Sequence, residues 1–174
     1  LPHDEGGGWT LLVAIADVSW FVLPGSPLDR QAFDRGNSVY FPDQVVPMLP
    51  HALSSDACSL NAGTEKAVLA CRMHIARDGE MVGFTFHRAR VRIAANLAYE
   101  EAQAVMEDRA DSALKASVLE PLWACWKALE KARAKREPLE LELPEKRVVL
   151  DEEGRIQGIA VRERFDAHRV IEDM

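Results

Sequence analysis

Apolar positions along the chain fall into two patterns, and each pattern predicts a kind of element. Trp9–Ala16 (WTLLVAIA) is almost continuously apolar and rich in strand formers, which predicts a buried central strand. Val18–Val22 would continue that strand or pair with it. Pro24-Gly25-Ser26-Pro27 then breaks the pattern. Ser26 as N-cap and Pro27 at the first helical position predict a short helix from Leu28 to about Arg35, ended by Gly36. Between Asn37 and Asn61 the prolines Pro42, Pro47 and Pro50 punctuate the chain, and proline cannot donate to a sheet ladder. This stretch, which carries Tyr40, Phe41, Met48 and Leu49, reads as an ordered loop or short edge strands.

Two runs, Ala67–Ala76 and Met81–Ile93, predict a hairpin turning at Asp78-Gly79. A helix follows near Tyr99–Glu107, then a longer one from about Ala113 to Lys135 that Pro121 can kink or split. Leu114, Val118, Leu122, Trp126 and Leu129 form a core-facing stripe at helical spacing. The basic end of this helix, Lys127 to Arg136, suits a helix C-terminus and needs no ligand. A second hairpin, Arg147–Leu150 with Arg155–Val161, leads to a final helix from Asp166. The fold class read from this order is mixed α/β of the α+β kind, with a central, mostly antiparallel sheet, flanking helices and one domain over residues 1–174.

With 174 residues, 48% hydrophobic and 28% charged, the chain is large enough for one real core. Its longest apolar stretch, Trp9 to Leu23, is too short and too interrupted by Asp17 to span a bilayer, so no membrane partner is expected. Cys58, Cys71 and Cys125 lie far apart and read as reduced, mostly buried thiols of a cytoplasmic protein. The net charge of −7 argues against wrapping nucleic acid over the whole surface, because phosphates attract Lys and Arg. A narrow basic channel in an acidic protein remains compatible with it.

Candidate chemistry is sparse by spacing alone. His3, His51, His74, His87 and His168 do not pair with one another or with cysteines at zinc-ligand intervals. A Cys58/His51 nucleophile pair has no orienting partner written nearby. Gly6-Gly7-Gly8 precedes a strand rather than a helix and reads as a loop, not a phosphate cradle. Metal-assisted phosphodiester hydrolysis needs several carboxylates converging on ions about 4 Å apart. The acids here are scattered or sit in turns; Asp17, at a strand end, is the best-placed single one, although such residues commonly cap turns. By themselves Tyr40 reads as a loop aromatic packed on the core, Tyr99 as a core residue at a helix start, and Glu172 as a solvated carboxylate.

The order of motifs adds more. VAIADVSWFV at 13–22 is followed by Pro27-Leu28-Asp29, by RGNSVYFP at 35–42, by Pro47-Met48-Leu49-Pro50, by Leu53-Ser54 and by Cys58-Ser59-Leu60-Asn61. Ala70-Cys71-Arg72-Met73, Leu97-Ala98-Tyr99-Glu100 and DAHRVIE at 166–172 come after. This succession resembles the RNB catalytic domain of the ribonuclease II and ribonuclease R family over nearly the whole chain. The resemblance implies 3′→5′ hydrolysis of single-stranded RNA to 5′ mononucleotides with Mg²⁺, with no preference for DNA. It further implies that Tyr40 stacks on the terminal nucleotide, and that Tyr99 and Glu172 help the cavity prefer RNA by reading the ribose 2′-hydroxyl.

Departures from the family pattern carry equal weight. A closely spaced aspartate run that holds the metal would precede Leu1, and the family's catalytic Arg and S1-type RNA-binding domain would follow Met174. The chain is therefore expected to be an interior, incomplete part of the domain, with no catalytic or metal residues of its own. The family's second base-clamping aromatic is replaced within Leu139-Glu140-Leu141, and Asn96 and Ala98 stand where many members have Arg and Thr. The resemblance predicts a parent exoribonuclease whose isolated central piece does not cut RNA. The alternatives are a catalytically dead remnant that binds RNA or a protein, and a metabolic enzyme or plain scaffold on a similar fold.

Overall fold

A long hairpin over residues 65–92 organises the molecule. The structure is a computed structural model describing residues 7–139, 146–161 and 163–174. Strand β1 (Trp9–Ala16) ends in a short 3-10 turn, Val18–Trp20, and α1 (Pro27–Arg35) follows. A small ribbon comes next, β2 (Val39–Tyr40) paired with β3 (Val45–Val46), and then a π-helical turn, Ala52–Ala57. The long strands β4 (Glu65–Ile75) and β5 (Met81–Arg92) pair antiparallel along their length. Helix α2 (Tyr99–Met106), a π-turn at Lys115–Leu119, helix α3 (Glu120–Ala134), the hairpin β6 (Lys146–Leu150) and β7 (Ile156–Val161), and helix α4 (Asp166–Glu172) complete the order.

The mixed α+β fold with antiparallel sheets is the one the sequence predicts, but the middle of the main sheet is different. Its order is β1-β4-β5, so β4 is central and β1 lies at an edge. The unbroken apolar run of β1 suggested burial on both faces. In the structure Leu11 is buried while Leu12 and Ile15 on the same strand are exposed. Nor does Val18–Val22 extend the sheet, because it begins with the 3-10 turn. The α1 reading holds in detail: the Ser26 hydroxyl accepts from Asp29 N–H at 3.1 Å, and Gly36 closes the helix at φ 75°.

Two clusters make the core. Leu11 and Ile75 pack with Cys125 of α3, flanked by Met73, Leu122 and Leu129. Ala102 and Val105 of α2 pack with Leu119 and Ala167, which joins α2 to α4. Trp126 is fully buried, and its indole N–H donates to Asp173 at 2.9 Å. The expected stripe thus holds at Leu122, Trp126 and Leu129 but slips upstream, where Val118 is exposed and Leu119 is buried instead. The π-turn at Lys115–Leu119 takes extra residues per turn and so shifts the phase of the apolar face. Of the cysteines only Cys125 is buried, and Cys58 and Cys71 are half-buried; all three are free thiols.

Gly79 shows how tightly the hairpin meets α3. It sits at φ 83°, and an added Cβ would lie 2.0 Å from the Ala128 carbonyl oxygen on the helix backbone. Gly79→Ala would therefore strain both the turn and the hairpin–helix contact. It is expected to destabilise by more than about 1 kcal/mol, read as a lowered urea midpoint with unchanged m-value.

Candidate nucleic-acid interface

Tyr40 is displayed, not packed. Three backbone constraints shape its ribbon: Phe41 N–H donates to the Gln44 carbonyl at 2.8 Å, Met48 N–H to the Ser38 hydroxyl at 2.9 Å, and the Arg35 guanidinium to the Pro47 carbonyl at 2.9 Å. The prolines force the ribbon to be two residues per strand, and Tyr40 faces Val45 across it. The ring is left 77% exposed. That overturns the reading of a core-packed loop aromatic, since an unburied aromatic face offers a platform for stacking.

The segment after the ribbon is held from both sides by Asn96. Its side-chain amide donates to the Leu60 carbonyl at 2.9 Å, and its side-chain carbonyl accepts from Ala62 N–H at 2.6 Å. Lys66 reaches the same segment through the Asp56 carbonyl at 2.7 Å. Sequence reasoning marked Asn96 only as a departure from the family. Its clamping role depends on a partner 36 residues away, which no local pattern records.

Tyr99 of α2 and Glu172 of α4 are linked through His168. The Tyr99 ring stacks on His168 with centroids 4.2 Å apart and planes 22° apart. His168 is oriented in turn by Phe165, whose backbone N–H donates to Nδ1 at 3.1 Å. Residues 168 and 172 are four apart on α4 and so share a face, which places Tyr99, His168 and Glu172 along one strip. Glu172 is not a bare solvated carboxylate; it pairs with Arg164. Buried Gln103 ties the start of α4 to α2 by accepting from Ala167 N–H at 3.0 Å, and this fixes the strip against α2. Tyr40 stands on the separate two-stranded ribbon β2-β3.

The remaining candidates resolve into structure. Asp17 is only 6% exposed, and its carboxylate accepts from Arg88 Nε at 3.1 Å and from the Ser19 hydroxyl at 2.6 Å. A carboxylate committed to a guanidinium in this way is a poor metal ligand. Among the described residues no three His, Cys, Asp or Glu side chains gather where they could hold a cation, so the described residues offer no site for the Mg²⁺ that the resemblance implies. His51 approaches Ser55 at 3.4 Å. Burial pushes the Cys58 thiol up from its ordinary range, with the Lys66 charge opposing and Asp17 adding, which disfavours the thiolate a nucleophile needs. Leu139 is exposed, while Glu140 and Leu141 of the same segment, like His3, lie outside the described residues.

Comparison with known proteins gives first a class and then particular relatives. Residues 2–174 match the RNB domain, and the chain belongs to this family. Over 173 residues it is 41% identical to ribonuclease R of Escherichia coli K12, covering 97% of this chain and 21% of that protein. Ribonuclease R of Mycoplasma genitalium in complex with ribose-methylated single-stranded RNA superposes with a TM-score of 0.89 at 26% identity, over 94% of this chain and 26% of that one. The same enzyme in complex with double-stranded RNA gives 0.90, over 94% of this chain and 30% of that one. The chain thus spans about a fifth to a third of the relatives it matches.

Asn96→Ala is expected to release the clamp without unfolding the sheet. Hydrogen exchange should quicken at residues 60–63 while the centres of β4 and β5 stay protected; unchanged exchange at 60–63 would show that Asn96 does not hold the segment.

Proposed function

We propose that this chain is the central, RNA-holding part of a 3′→5′ exoribonuclease that degrades single-stranded RNA to 5′ mononucleotides in the cytoplasm. The observation that carries the reading is the conjunction of RNB membership over residues 2–174 with an unburied ring at Tyr40, the residue to which the sequence resemblance assigns base stacking. In this reading the Tyr40 ring covers the terminal base, and the Tyr99–His168–Glu172 strip contacts the ribose edge, where a carboxylate accepts a hydrogen bond from a 2′-hydroxyl that DNA lacks. Stacking on an aromatic face tolerates any base, which suits a degrader without sequence preference. Divalent-metal chemistry supplies the cleavage in the family, and the described residues contribute binding and orientation only.

A second reading, a catalytically silent RNB remnant that binds RNA or a protein, is compatible with the same observation. Asp17, the best-placed acid, is spent on Arg88 and leaves no carboxylate cluster among the described residues. The parent's activity separates the two readings, and RNA binding by this chain separates the first from a remnant that binds only a protein.

Two measurements follow. Tyr40→Ala should weaken binding of a linear oligoribonucleotide with a free 3′ end by about 1–3 kcal/mol while leaving thermal stability unchanged; equal affinity would remove Tyr40 from the site. The purified chain with Mg²⁺ should release no mononucleotides from labelled RNA, and sustained release would show that it carries a metal site of its own.

A further inference from the structure

The outer strand of the main sheet carries a feature that the terminal-nucleotide site does not use. Strand β5 reads Phe84, Phe86, Arg88, Arg90 and Arg92 at every second position, and alternation puts all five on one face. The register confirms it: these residues lie beside Met73, Cys71, Leu69, Ala67 and Glu65 of β4. Helix α3 packs on this face at Leu11 and Ile75, with Trp9, Val13 and Met73 alongside. Beyond it Phe84 and Phe86 are exposed and meet edge to face, with centroids 5.5 Å apart. The side chains of Arg88, Arg90 and Arg92 are 59%, 77% and 68% exposed.

Beside the arginines lies a hollow of about 440 Å³ lined by Asp17, Trp20, Ala67, Arg88, Ala89 and Arg90. Trp20, at its rim, is 63% exposed. The arrangement therefore combines a row of guanidinium groups with aromatic faces, Trp20 beside Arg88 and Arg90 and the Phe pair further along β5.

From this we propose that the exposed face of β5 is a track for the phosphate backbone of single-stranded RNA, separate from the nucleotide held at Tyr40. The proposal rests on the exoribonuclease reading for its choice of RNA, but on other residues for its chemistry. Residues two apart on a strand are about 6.8 Å apart, close to the interval between successive phosphates of an extended polynucleotide. Arg90 and Arg92 share a single carboxylate, Glu65, at 2.5 and 3.0 Å, each through one terminal nitrogen. A guanidinium has five N–H donors, so most of each fork stays available for phosphate oxygens. Exposed ion pairs are weak, so an incoming phosphate displaces or shares them readily. Glu65 meanwhile keeps the two side chains extended along the face. Trp20 and the Phe pair offer stacking surfaces to bases beside the phosphates. In a chain of net charge −7 such a strip also explains how an acidic protein holds a polyanion, by local charge rather than overall charge.

Arg88 is excluded from the test because it neutralises buried Asp17, and its loss would disturb the fold. The experiment measures fluorescence anisotropy of the 174-residue chain with a labelled circular oligouridylate, which has no 3′ end, and with its linear form. The track predicts that the circular RNA binds, that Arg90→Ala/Arg92→Ala weakens it about tenfold or more, and that the double variant lowers the salt slope by about 1.4, near 0.7 per phosphate contact on a single strand. Trp20→Ala, with the arginines intact, should weaken circular RNA several-fold. Unchanged affinity and slope in the double variant, or no binding of circular RNA by the unaltered chain, overturns the proposal. Circular dichroism confirms folding of each variant, and charge-conserving Arg90→Lys/Arg92→Lys should restore most of the salt slope. The two readings fail separately: an effect of Tyr40→Ala confined to linear RNA supports the terminal site whether or not the track exists, and Arg-dependent binding of circular RNA supports the track whether or not Tyr40 matters.

Discussion

Strand β4 is paired on both sides, to β1 over residues 68–75 and to β5 over its whole length, and the rest of the molecule is arranged by that double pairing. Backbone donors and acceptors inside a sheet must be met by neighbouring strands, so a strand bonded along both edges cannot move without breaking two ladders. Its turn into β5 is pressed against α3 at Gly79, its Ile75 packs on Cys125, and its Ala67 carbonyl accepts from Asp17 where β1 ends. Each of the candidate nucleic-acid surfaces is one step away from it. The segment before β4 follows the Tyr40 ribbon, and the segment after β5 runs to Asn96 and Tyr99.

The sheet and the helices make different kinds of surface. The helical side is tied together by buried contacts, with Gln103 and Trp126 bonding α4 and its end to α2 and α3. That rigidity suits the Tyr99–His168 stack, whose geometry would blur if α4 could rock. The Tyr40 ribbon is held instead by a few exposed hydrogen bonds around a proline-rich turn, which constrains the backbone and leaves the ring in water. A base-stacking residue benefits from this division, because the ring must be reachable while its Cα stays put.

Much of the order of elements was legible in the residues. The α1 caps, the Asp78-Gly79 hairpin and the splitting of the long helix at Pro121 all follow from local chemistry acting over a few residues. Two features were not. The apolar run of β1 suggested a central strand, yet β1 is at the edge, because an apolar run reports how much surface could be buried and not which neighbours arrive to bury it. The stripe on the long helix slipped by one position at Val118 and Leu119, because a π-turn changes the period that the stripe assumes. At the site, Tyr40 was found through the order of motifs around it, whereas the clamp by Asn96 and the pairing of Glu172 with Arg164 rest on contacts that spacing does not encode.

What the sequence determined by itself was local and compositional: where chains turn, which segments are helical or extended, which family's motifs appear in order, and which residue types are absent in metal-binding spacing. Those follow from backbone sterics, capping and side-chain shape within a few residues. The tertiary structure alone decided exposure and company. It left the Tyr40 ring in solvent, spent Asp17 on Arg88, and set three arginines and two phenylalanines on one open face of β5. Such outcomes depend on which distant segments pack together, and packing is settled by the summed burial and pairing of the whole chain.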